Sequence, residues 1–86
     1  VTTEVEVSNR AGIHARPAAL IVTTANKYKS DLFLVKDTMK VNGKSIMGII
    51  TLGAAYKAHI TIICDGPDEQ DMAEAIERLF VNRFEV

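Results

Sequence analysis

Pro17 stands at the head of an apolar stretch, Ala18, Ala19, Leu20, Ile21, Val22 and Ala25, that supplies one face at helical spacing. Proline has no backbone N–H and its ring clashes with the turn before it, so a helix tolerates it only in its first turn. The first helix must therefore begin within about two residues of His14. Asn9-Arg10-Ala11-Gly12 reads as the loop that enters it, and Lys27 and Lys29 fall near its expected end, where cations suit the negative pole of the helix dipole.

The other elements follow from hydrophobic period and breakers. Val5 and Val7 alternate with Glu4, Glu6 and Ser8, which predicts a strand with one buried face. Leu32-Phe33-Leu34-Val35 and Met39-Lys40-Val41 are β-rich and joined at Lys36-Asp37-Thr38, a tight antiparallel connection. Ser45, in N-cap position, introduces a short helix through Ile46, Met47, Ile49, Ile50 and Leu52 that stops near Gly53. Ile60, Ile62 and Cys64 form one face of a last strand, broken by Asp65-Gly66-Pro67. Asp68 then reads as the N-cap of a third helix, with Met72, Ile76 and Phe80 at i+4 and Ala75 and Leu79 on the same face. The order is βαββαβα. Four strands close no useful barrel, so the expected fold is an α+β open-faced sandwich: one four-stranded antiparallel sheet with three helices on one face. Its other face should meet solvent while remaining partly apolar at Phe33, Val35 and Ile63.

Composition narrows the function. A chain of 86 residues makes one domain, residues 1–86, and 48% apolar with 24% charged residues is a globular balance. A net charge of -1 and few aromatics argue against a nucleic-acid module, which needs a basic footprint. The longest apolar run, Ala18 to Val22, is five residues, against the ~20 that a membrane-spanning helix needs. No secretory pattern opens the sequence, and one cysteine cannot form an internal disulfide, so a cytoplasmic protein without membrane insertion is expected. Cys64 lies on the apolar side of its strand and reads as a core group, and His59 on its strand reads as structural. No carboxylate cluster or Cys-based ligand set suggests a metal, and no cofactor is called for.

The chemistry concentrates at the helix start. An N-terminal helix mouth presents free N–H groups and the positive end of the dipole, a ready anion site. Arg16 adds a guanidinium fork that matches phosphate oxygens. A neutral imidazole is a nucleophile near pH 7, so His14 in that place suits acceptance of a phosphoryl group. Spacing alone leaves a plainer alternative open, in which His14 is a helix cap and Arg16 a solvated charge. Gly43-Lys44-Ser45 resembles the end of a phosphate-binding loop, but Thr38 stands where the pattern needs glycine, so a nucleotide site is rejected. Ser45 is better read as an N-cap that a kinase could modify, adding about -1.5 to -2 charges. The second helix carries more apolar residues than one core face can take, so whichever of Met47 and Ile50 stays outside would form a docking patch.

These residues carry a resemblance. NRAGIHARPA followed by VNGKSIMGIITLG, with DGPDEQDM at the third helix, is similar over nearly the whole chain to the HPr family, the histidine-containing phosphocarriers of the phosphoenolpyruvate-dependent sugar phosphotransferase system. The resemblance implies that His14 is phosphorylated at Nδ1 by enzyme I and passes the group to sugar-specific IIA proteins or domains. It makes Arg16 the phosphate-stabilising residue, Pro17 the helix-setting one, Ser45 a regulatory serine of the kind modified by HPr kinase/phosphorylase, and Ile46, Met47 and Ile50 the partner-binding patch. It also implies a covalent carrier rather than a turnover enzyme, suited to working as a monomer. Paralogues that have lost carrier activity typically lack the histidine, which this chain keeps; a mainly regulatory protein acting through Ser45 is the alternative. Ile13 replaces a more usual Leu. Lys57 stands where the family generally has Gly, so a remodelled loop is expected there, because a positive φ costs a non-Gly residue roughly 1 kcal/mol.

Overall fold

The computed structural model describes residues 1–85. The elements run β1 (Thr2–Glu6), α1 (Ala15–Ala25), β2 (Asp31–Lys36), β3 (Met39–Asn42), α2 (Ile46–Thr51), β4 (His59–Asp65) and α3 (Glu69–Val81), the βαββαβα order that the sequence predicts. The strands form one antiparallel sheet in the order β1-β4-β2-β3. With the three helices on one face it is an open-faced sandwich.

Register follows from the alternation. Ile60, Ile62 and Cys64 of β4 and Leu32 and Leu34 of β2 are buried, and the pairs Leu32 with Cys64 and Leu34 with Ile62 bring these side chains side by side. The helices close over them with Ala18, Ile21 and Ala25 from α1, Ile49 from α2, and Met72, Ala73, Ile76 and Phe80 from α3. Fully burying an Ile or Phe contributes roughly 1.5–3 kcal/mol each, so this stripe is the main source of stability. Cys64 packs among them, and burial pushes its thiol up, as suits an inert core group. On the other face Phe33, Val35 and Ile63 are half-buried, and the Lys40 ammonium lies 4.5 Å from the Phe33 ring centroid.

Several local expectations are corrected. Val7 is buried but lies just past β1, where its N–H donates to the Ala58 carbonyl at 2.9 Å. Lys36 pairs with Met39, so the hairpin connection is only Asp37-Thr38, with Asp37 left-handed at φ 55. Helix α1 ends at Ala25 with no basic residue in its last turn, which leaves Lys27 and Lys29 in the loop beyond. At Lys57 the strain anticipated for a non-Gly residue is present. Lys57 takes the left-handed conformation itself, φ 74, held by its N–H to the Val7 carbonyl at 2.8 Å. Lys57→Gly is therefore expected to raise stability by about 0.5–1 kcal/mol, the relieved strain less the added freedom of the unfolded chain. Thermal melts check this, and the midpoint should rise by a few degrees.

Asp68 occupies the N-cap position of α3, but its side chain caps nothing there. Its carboxylate instead accepts from the N–H groups of Lys29 and Ser30, each at 2.9 Å, and from the Ser30 hydroxyl at 2.5 Å. The Ser30 Oγ in turn accepts from the Asp68 N–H at 3.1 Å, which satisfies a hydroxyl that is otherwise buried. This clasp joins the α1–β2 loop to the start of α3. The Ser30 hydroxyl, then the Lys29 N–H, hold Asp68 well below its ordinary 3.8, at about 2. A depressed folded-state value means a contribution present in full above the ordinary range and lost as pH falls through about 2. Acid titrations of stability should therefore be flatter for Asp68→Asn than for the parent between pH 4 and pH 2; parallel curves would contradict the clasp.

Candidate functional site

The loop before α1 is built to hold its last residue still. The Gly12 N–H donates to the Asn9 carbonyl at 3.1 Å, and the Asn9 Nδ2 donates to the Gly12 carbonyl at 2.7 Å, closing a tight turn. Gly12 is left-handed at φ 75, and a Cβ there would lie 2.7 Å from the Ala54 carbonyl oxygen and 3.1 Å from the Ala55 Cα. That absence of a side chain lets the turn rest directly on the segment leaving α2. The next residue, Ile13, is buried, and its N–H donates to the Ala54 carbonyl at 2.9 Å. Gly12→Ala should thus be destabilising by about 1–3 kcal/mol, from overpacking added to left-handed strain. Denaturant unfolding reads this directly.

His14 follows as the N-cap of α1, with extended backbone (φ -106, ψ -162) and no capping bond from its side chain. The alternative in which the imidazole serves as a helix cap is therefore set aside. The ring is exposed and free of structural duty. The first bond to the helix is donated by the Ala18 N–H to the His14 carbonyl at 3.0 Å. Ahead of it stand the N–H groups of Ala15 and Arg16, while Pro17 has none, so the mouth offers two backbone donors beside the ring. Pro17 is buried and fixes the φ of that first turn. Arg16 is exposed, and both it and His14 line a shallow surface depression of about 340 Å³. Arg10, Arg83, Phe84 and Glu85 complete much of its wall. The arrangement can receive a dianion: two amide donors, an aligned helix, guanidinium groups and a nucleophilic ring at one place.

Ser45 caps α2 as the sequence predicts, its Oγ accepting from the Gly48 N–H at 3.1 Å. Lys44 is no phosphate lysine; its Nζ donates to the Tyr28 carbonyl at 2.9 Å. Of the apolar residues of α2 only Ile49 is buried, and Met47 is 70% exposed, Ile46 41% and Ile50 37%. The exposed apolar patch thus contains all three rather than a choice between Met47 and Ile50. It is tied to the histidine through Ala54, which lies just past α2 and holds Ile13.

Sequence reasoning passed over Asn9, Arg83 and Glu85. Asn9 was legible only as a loop former, although an Asx residue three before a glycine is a known turn signal. The C-terminal pair reaches the site because Phe84 continues the i+4 series of Met72, Ile76 and Phe80 into the core, its ring 4.9 Å from that of Phe80. That series was readable one step further than the helix itself.

The chain is also similar to known proteins in sequence and in fold. Residues 1–82 match the family model described as "PTS HPr component phosphorylation site". The chain is 51% identical over 85 residues to the phosphocarrier protein HPr of Treponema pallidum, covering 99% of this chain and 97% of that one. It is 49% identical over 79 residues to the HPr-like protein Crh of Bacillus subtilis, covering 92% and 89%. The crystal structure of an HPr from Thermoanaerobacter tengcongensis superposes with a TM-score of 0.94 at 40% identity, over 100% of this chain and 99% of that one. A structure described as an HPr dimer from the same organism matches with a TM-score of 0.80 at 41% identity, over 95% and 94%.

Proposed function

This chain belongs to the HPr family of the phosphotransferase system, and we propose that it works there as a phosphoryl carrier that accepts the group on His14 from enzyme I and delivers it to IIA proteins or domains. The observation that carries the reading is the uncommitted His14 ring beside two helix-mouth amides and Arg16. In the loading step a lone pair of the ring nitrogen, Nδ1 by family resemblance, attacks the phosphorus held on enzyme I. One P–N bond forms as the bond to the donor breaks, so the group moves without net hydrolysis. The Ala15 and Arg16 amides and the Arg16 guanidinium stabilise the transferred oxygens, and Pro17 keeps the mouth in register. The exposed Ile46, Met47 and Ile50 supply apolar contact to successive partners. The protein holds no cofactor in this scheme and acts in the cytoplasm, where its donors and acceptors meet it. One copy suffices to offer this face.

A regulatory reading is favoured by the 49% identity to an HPr-like protein Crh and by the position of Ser45. In it, modification of Ser45 by an HPr kinase/phosphorylase is the main event and sugar transport is secondary. The two readings part on one experiment. Phosphorylated protein is isolated after loading by enzyme I and mixed with a IIA domain. A carrier gives up its label to IIA; a protein that takes no label from an active enzyme I, yet is modified at Ser45 by the kinase, is the regulator.

A further inference from the structure

The residues after α3 adopt a backbone that needs an explanation. Arg83 and Phe84 are both left-handed, with φ 57 and 58, and neither is glycine. Each is disfavoured relative to ordinary backbone because the Cβ crowds the following carbonyl, and such strain persists only where surrounding structure enforces it. Here the enforcing contacts are plain. Phe84 is buried edge-on against Phe80, its N–H donates to the Leu79 carbonyl at 2.8 Å, and the Arg83 N–H donates to the Phe80 carbonyl at 3.1 Å. The Ser8 hydroxyl also donates to the Phe80 carbonyl at 2.8 Å, fastening the end of α3 to the segment that leads toward His14. The reversal carries Arg83 away from the helix axis and into the wall of the depression that holds His14 and Arg16.

Of the other groups there, Arg10 is partly engaged by an aromatic ring, its guanidinium carbon 5.6 Å from the Tyr56 centroid. Glu85 contributes the opposing charge. We propose that Arg83 is a second phosphate-binding guanidinium, which with Arg16 holds the phosphoryl group on His14 and favours the phosphorylated over the free form. This rests on the carrier reading of His14 and extends it to a residue on another element. The strained turn is what delivers the charge. A dianion beside one guanidinium and one carboxylate gains from a second guanidinium, and an exposed charge pair of this kind is worth a few-fold in an equilibrium constant.

The test is the equilibrium of phosphoryl exchange between enzyme I and the full chain, measured from both directions with labelled phosphoenolpyruvate removed after loading. Altered docking changes both rates but leaves this equilibrium where it was. Arg83→Gln should shift it toward phosphorylated enzyme I by about threefold, with Arg83→Lys shifting it less and the shift shrinking at high salt. Inorganic phosphate, titrated against the amide signals of Ala15 and Arg16 in the unmodified protein, should bind correspondingly more weakly to Arg83→Gln. An equilibrium and a phosphate affinity both unchanged in Arg83→Gln, while the parent still takes label on His14, overturn the role of Arg83 alone. A parent that takes no label overturns the carrier reading and this inference with it.

Discussion

His14→Ala is expected to abolish phosphoryl acceptance from enzyme I while leaving the fold as stable as before. The side chain is exposed, makes no capping bond and belongs to no core contact, so its removal should change unfolding free energy by less than about 0.5 kcal/mol. Chemistry is another matter. In the proposed carrier the ring nitrogen forms the bond to phosphorus, and among the described residues lining the depression none replaces it: the guanidiniums of Arg16 and Arg83 are donors without a nucleophilic lone pair, and Glu85 is a weak nucleophile. Incubation with enzyme I and labelled phosphoenolpyruvate, alongside a denaturant melt, checks both halves. Retained labelling, or a variant that fails to fold, would contradict the separation of structure from chemistry at this position.

The second large effect is expected at Ser45, and its two consequences have opposite signs. Asp is as good an N-cap as Ser, and a carboxylate at a helix N-terminus is favoured by the dipole, so Ser45→Asp should leave α2 intact or stabilise it by about 0.3–1 kcal/mol. The same charge stands at the head of the helix that exposes Ile46, Met47 and Ile50. The surface around His14 carries Arg10, Arg16 and Arg83, so a partner that complements it is acidic, and a carboxylate set against it is repelled. Transfer from enzyme I should slow by at least about tenfold, since like charges brought together at an interface cost several kcal/mol. The loss should be read mainly in KM and be smaller at high salt. Unchanged transfer at low ionic strength would mean that the α2 face is not where enzyme I docks.

Much of this site is legible in the sequence, and the reasons are local. Pro17 can occupy only a first turn, so the helix start, the place of His14 and the nearness of Arg16 all followed from one residue. The Ser45 cap was likewise legible because capping acts over three residues, here to Gly48. What depended on distant neighbours was not. Asp68 has the composition of an N-cap, yet Ser30 and Lys29, on a loop some forty positions earlier in the chain, compete for its carboxylate and win. Lys57 carries a conformation that its residue type disfavours, because the bonds from the Lys57 N–H to the Val7 carbonyl and from the Val7 N–H to the Ala58 carbonyl enforce it. Both Met47 and Ile50 face outward because a helix of six residues buries one narrow stripe, filled here by Ile49. Arg83 enters the site only through two consecutive left-handed residues, for which no sequence signal exists outside glycine and asparagine.

The most direct test of the central claim is to load the wild-type protein with enzyme I, Mg²⁺ and labelled phosphoenolpyruvate and to map the phosphate. The carrier account predicts a single acid-labile, base-stable phosphate on His14. No label from an enzyme I active on another carrier, or acid-stable label confined to Ser45, would contradict it.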